Sequence, residues 1–255
     1  MSTTTEALVR LHTDGHGNLL REELIADLTT ILPGLTSPIC TFWWIDSSSD
    51  GRTAAVLCTT GGPSGLWVDG QVVLSHADPG PDPGTHISDI WACSVNDRGQ
   101  WAAHVDLNNN EHCIYVDGQV VMRGDRDFLP ARVTQVTNFK LTNDGRAYYI
   151  AWLTAPGSQA TLAVCVDNQV VVGHGELQIE GETLYGPTLS HPADPVVDAH
   201  GTHLHFQISV SEVGGSGTWR GVVLPLDLSA TTCPDSAGGA TPPRLAVFGA
   251  LYPDA

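Results

Sequence analysis

Three polar stretches of this chain each follow directly on a Gln-Val-Val or similar apolar segment, and together they concentrate its acid–base chemistry. Residues 75–89 hold His76, Asp78, Asp82, His86 and Asp89. Residues 123–132 hold Arg123, Asp125, Arg126 and Asp127, and residues 173–186 hold His174, Glu176, Glu180, Glu182 and Tyr185. An imidazole titrates near neutral pH, so His76, His86 and His174, with Asp89, are the expected proton donors and acceptors. Arg123, Asp125, Glu176 and Tyr185 supply polar groups to orient a substrate. Lys140, the single lysine, sits in FKLTNDG. If buried, its amine loses basicity and becomes a nucleophile for carbonyl compounds, although an ordinary ion pair is the commoner role of such a lysine. Trp43, Trp91 and Asp46 lie in matching apolar segments, where the two indoles would make a flat apolar wall.

His203 and His205, two residues apart and so on one face of a strand, with Asp198 nearby, are candidate metal ligands. No third ligand follows at a recognisable spacing, and no metal is expected. The chain carries no Gly-x-Ser-x-Gly, no phosphate loop and no dinucleotide fingerprint, so no cofactor is expected either.

These residues are positioned by a repeat. One turn recurs at Gly51, Gly99, Gly145 and Gly201, spaced 48, 46 and 56 residues apart. A second turn recurs in LWVDGQVV, IYVDGQVV and VCVDNQVV. Asp-Gly or Asp-Asn between alternating apolar runs is a two-residue hairpin signal, because both central residues tolerate positive φ. Four strands per repeat at this period describe a propeller blade. The fold expected is an all-β, single-domain β-propeller over residues 1–255. Its blades are 39–74, 87–123, 133–173 and 187–252, with an N-terminal hairpin at 7–24. Four full repeats and that half blade close a five-bladed ring; completion of the half blade by a second protomer, a homodimer, is the other way to cover its edge. The segment REELIADLTTIL reads as a short helix from the spacing of Leu24, Ile25 and Leu28. In a ring, all three polar stretches would converge on one rim.

The segment Asn96-Asp97-Arg98-Gly99-Gln100-Trp101-Ala102-Ala103 resembles the Asn-x-x-Gly-x-x-Ala-Phe core of a bacterial tandem-repeat family, departing only at the Phe. In looser copies Ser48, Thr142 and Asp198 stand in the Asn place, and Ala55, Tyr149 and His205 in the Phe place. The resemblance covers roughly residues 40–210. It implies β-propeller-like repeats and no particular chemistry.

A net charge of −17 argues against nucleic acid or an anionic membrane as partner. The start of the chain shows no basic stretch ahead of an apolar run, and no apolar stretch is long enough to span a bilayer, so a cytoplasmic location is expected. Six cysteines without Cys-x-x-Cys spacing read as free thiols in strands. The function expected is an intracellular small-molecule enzyme of specialised metabolism. It would be a cofactor-independent lyase, cyclase/isomerase or hydrolase working in an axial pocket. The alternatives are a non-catalytic ligand-binding or protein-interaction module, and a carbohydrate-active propeller with Asp46 and Asp89 as its carboxylates.

Overall fold

A computed structural model describes residues 6–14, 16–35, 37–60, 64–158 and 160–173, and the strands 177–179, 182–184, 196–197, 203–210 and 218–225, the part beyond residue 170 as backbone. Among the described residues every regular element is a β-strand. The chain divides into two compact units, 1–124 and 125–255.

In the first unit, β1 (Ala7–Thr13) and β2 (Leu19–Asp27) form an antiparallel hairpin. Four strands follow in order of sequence: β3 (Ile39–Ser47), β4 (Thr53–Thr59), β5 (Ser64–Val68) and β6 (Gln71–Ser75). A second meander repeats them as β7 (Ile87–Val95), β8 (Trp101–Leu107), β9 (His112–Val116) and β10 (Gln119–Arg123). The two four-stranded sheets span residues 39–75 and 87–123.

The segment expected as a helix is instead mostly strand. Residues 21–27 belong to β2, with Leu24 opposite Val9 and Ala26 opposite Leu8. The Asp27 carboxylate then accepts from the Thr29 amide and both threonine hydroxyls, closing a turn where the helix would have continued. A helix this short is marginal in water, whereas the cross-strand ladder satisfies the same backbone groups and buries Leu8 and Ala26.

Side-chain alternation explains the layering. On β4 and β5, Ala55, Leu57 and Trp67 face the hairpin with Leu8, Ala26, Leu32 and Ile39. Their neighbours Ala54, Val56, Leu66 and Val68 face the next sheet and meet Ile90, Cys93, Ala103, Val105, Cys113 and Tyr115. Both faces of β4 are buried, so the strand reads as a continuous apolar run. The hairpin is less well covered: Leu11, Leu20 and Leu24 are each at least 60% exposed.

The turns explain why the same residues recur. Asp69-Gly70 and Asp117-Gly118 all have positive φ, as the tight hairpin requires. The Asp carboxylate also accepts a hydrogen bond from the first amide of the second strand, Thr53 or Trp101. At the other turn Gly51 and Gly99 close a loop onto Ser48 and Asn96. Gly99 has φ 83° and lies against the Arg52 guanidinium of the preceding repeat, so a side chain there would be strained and would push that guanidinium aside.

The second unit opens with a third meander of the same order, β11 (Arg132–Leu141), β12 (Ala147–Thr154), β13 (Thr161–Val166) and β14 (Gln169–Gly173). Its Asp167 has φ 48° and holds the Ala147 amide as Asp69 and Asp117 hold theirs. A short hairpin of β15 (Leu177–Ile179) and β16 (Glu182–Leu184) occupies part of what reads in sequence as a connecting loop. Last come β17 (Val196–Val197), β18 (His203–Val210) and β19 (Thr218–Pro225) in one antiparallel sheet. The expected final strand at 244–252 lies outside the described residues. Among the described residues no helix is long and apolar enough to cross a membrane. Cys40, Cys58, Cys93, Cys113 and Cys165 carry free thiols.

Candidate functional site

The first polar stretch packs onto one end of the β7–β10 sheet. His86 pairs with Pro79 across the loop, its amide donates to Asn108 Oδ1 at 3.1 Å, and its carbonyl accepts the Asn108 amide at 2.9 Å. His76 stands nearby, its ring centroid 6.4 Å from that of His86 and its Nδ1 2.8 Å from the Ser88 carbonyl oxygen. Arg123, expected at the substrate, has its guanidinium committed elsewhere. It donates to Asp82 at 2.7 Å and to both oxygens of Glu111, whose side chain is only 2% exposed. Hydrogen bonds to Asp82 and then Glu111 hold its pKa above the usual arginine range. Arg123 is thus a clamp that fastens the loop to β9 and β10.

Asp89 and Asp46 also join elements. Asp89 Oδ1 accepts from the Ser64 hydroxyl at 3.0 Å and from the Ile90 amide at 2.9 Å. Among the described residues no hydrogen bond links it to His86. Asp46 Oδ2 accepts from the Ser94 hydroxyl at 2.6 Å and the Val95 amide at 3.0 Å. These bonds lay β3 beside β7 with equivalent repeat positions in step. In the second unit, Lys140 lies on β11 opposite Tyr148, and Asp125 is exposed in the segment before that strand. His174, Glu176 and Tyr185 lie outside the described residues.

Trp43 and Trp91 do meet. Their rings stack with centroids 6.0 Å apart and planes 21° apart, and both are nearly half exposed. Each sits at a register break, between Phe42 and Trp44 on β3 and between Ile90 and Ala92 on β7. A bulge re-aims a side chain, and here the same bulge in two repeats turns two indoles onto one another.

Behind Trp91 lies a group that sequence reasoning passed over. The Trp91 indole N–H donates to Asp106 Oδ2 at 2.8 Å. Asp106 Oδ1 lies 2.5 Å from His112 Nδ1 and 3.9 Å from His104 Nε2. The two ring nitrogens are 3.2 Å apart. The backbone explains the grouping. His104 and Asp106 are two apart on β8 and share a face, and His112 stands directly across from Asp106 on β9. The signal in the sequence is HVDLNNNEH, a strand, a tight turn and a returning strand, which brings its two histidines and its Asp together.

The electrostatics divide the three roles. Burial pushes the His104 pKa down to about 3, so this imidazole is neutral at physiological pH. Burial pushes the Asp106 carboxyl up, but the hydrogen bond and charge of His112, with the Trp91 N–H, outweigh it and hold the group below its ordinary range. Asp106 is therefore a carboxylate. Its Oδ1 is buried and lies against His112 Nδ1. A His–carboxylate pair beside an exposed aromatic surface can take a proton from a molecule resting on that surface.

No family model matches the chain, and no curated protein matches it.

Proposed function

We propose that the chain is a β-propeller that binds a small planar molecule on Trp43 and Trp91 and acts on it by acid–base chemistry through Asp106 and His112. The meanders β3–β6, β7–β10 and β11–β14 would be three of its blades, the repeat at 187–252 the fourth, and the hairpin β1–β2 a half blade completing a ring of five. The propeller reading is supported by the in-step packing of β3 beside β7 through Asp46 and by the recurrence of both turns. The exposed leucines of the hairpin support its being a half blade awaiting further strands. The observation that carries the functional reading is the Trp91 indole, which stacks on Trp43 and hydrogen-bonds the carboxylate paired with His112. Lyase, cyclase/isomerase and hydrolase reactions all use such a pair. A second reading, a ligand-binding module without catalysis, is favoured by the exposure of both indoles, which makes the aromatic surface open rather than enclosed.

The test is a library of planar small molecules offered to the full-length chain, with binding read by tryptophan fluorescence and conversion by mass spectrometry. Binding should weaken about tenfold or more in Trp43→Ala, the order expected from losing an aromatic contact and its buried area. Conversion should vanish in His112→Gln while binding persists. Binding without conversion selects the second reading. Binding indifferent to both Trp43→Ala and Trp91→Phe overturns the site.

A further inference from the structure

Three lone-pair donors from three side chains converge at the end of β8 and β9. His104 Nε2, Asp106 Oδ1 and His112 Nδ1 are separated by 3.2, 2.5 and 3.9 Å. The donor atoms around a tetrahedral ion with bonds near 2.0 Å are roughly 3.3 Å apart. Two of the three separations bracket that value, and the 2.5 Å contact between Asp106 and His112 would open by under about 1 Å, within the reach of a side-chain torsion. The carboxylate is already aimed. Trp91 holds Oδ2, leaving the buried Oδ1 directed at both imidazoles. Outer partners of this kind fix the orientation of metal ligands.

We propose that His104, Asp106 and His112 bind one divalent transition-metal ion of the zinc class. Two imidazole nitrogens and one carboxylate oxygen suit such an ion and not calcium or magnesium, which take oxygen ligands. Three protein ligands leave a coordination position open, the arrangement of catalytic rather than structural zinc. Asp106 and His112 are partly exposed and Trp91 is bonded to Asp106, so an ion there would be open to water and close to the aromatic surface. The proposal uses the site location of the functional reading. It departs from the sequence expectation that the chain takes no metal, since these ligands come from a hairpin and not from the His203 and His205 strand. It also replaces the His112 imidazole with an ion-bound water as the group that takes the proton.

The full-length chain, stripped with a chelator, is titrated with Zn²⁺ against a chromophoric competitor and separately with Co²⁺ under visible absorption. One equivalent of Zn²⁺ should bind tightly, and Co²⁺ should give the intense bands of a four- or five-coordinate site. Asp106→Asn and His112→Gln should each lower Zn²⁺ affinity by at least about tenfold, since losing even an outer partner costs that much. His16→Ala, an exposed histidine elsewhere, should not. Weak binding of several equivalents that is equal in wild type and both variants overturns the proposal. So does a wild-type Co²⁺ spectrum without intense bands, a result that does not depend on whether the variants fold. If the Zn²⁺ and Co²⁺ titrations fail while the protein still binds a planar compound in a Trp43-dependent way, the metal proposal falls and the aromatic-surface reading stands.

Discussion

The sheets β3–β6 and β7–β10 are one frame built twice, and they differ in what the frame carries. At the positions where the second sheet has His104, Asp106 and His112, the first has Val56, Cys58 and Ser64. The strand pairing is the same, since Cys58 stands opposite Ser64 as Asp106 stands opposite His112. Val56 packs against the β7–β10 sheet as core, and Ser64 is absorbed in holding Asp89 and the Ile90 amide. The third meander is apolar at the first two places, with Ile150 and Trp152. A backbone that is indifferent to these positions therefore holds core in one copy and a polar cluster in another. Both Trp43 and Trp91 survive in the same bulge, so the aromatic surface is shared while the acid–base group belongs to one sheet.

The comparison is broken most strongly at the clamp. Arg123→Ala leaves Glu111 buried without its counter-charge and should cost about 3–5 kcal/mol. Ser75→Ala, at the matching place of the first sheet, should cost no more than about 0.5 kcal/mol. Chemical denaturation of both variants measures the contrast, and equal losses would mean that Arg123 is not a clamp.

A smaller effect appears only in alkali. Tyr115 stands where the first sheet has Trp67, and burial raises its pKa to about 12 with its hydroxyl left without a hydrogen-bond partner. The folded chain keeps this phenol neutral while the unfolded chain ionises it near 10. Its contribution is therefore complete below pH 10 and is lost between pH 10 and about 12. Tyr115→Phe should match wild type in stability at pH 7 and exceed it at pH 11, as read by thermal unfolding at the two pH values. A variant that loses stability in parallel with wild type across that range would show that Tyr115 does not drive it.

The sharpest comparison has the least effect on stability. His104→Val installs the residue of the first sheet. It exchanges a buried neutral imidazole for an aliphatic side chain, so the unfolding free energy should change by about 1 kcal/mol or less. Zn²⁺ binding and compound conversion should nevertheless be lost. A variant that retains both would place the chemistry away from β8.

Much of the scaffold was legible because its signals are local. Asp69-Gly70, Asp117-Gly118 and Asp167 demand positive φ within two residues, and the mostly apolar runs of β4 and β8 mark strands buried on both faces. The hairpin segment 21–27 misled because an amphipathic run of twelve residues fits either period, and only the partner strand β1 decides between them. The site was half legible. Trp43 and Trp91 were visible as matching positions, while Arg123 and Asp89 read as free polar groups and are in fact spent on Glu111, Asp82 and Ser64.

By itself the amino-acid sequence determined the β class, the positions of the turns and the step between repeats, since each depends on the conformational limits of a few adjacent residues. Which polar side chains pair with one another and which face an open aromatic surface was decided by tertiary structure. Burial and hydrogen-bond partnership depend on strands up to 50 residues apart, such as β3 against β7, and no local pattern records them.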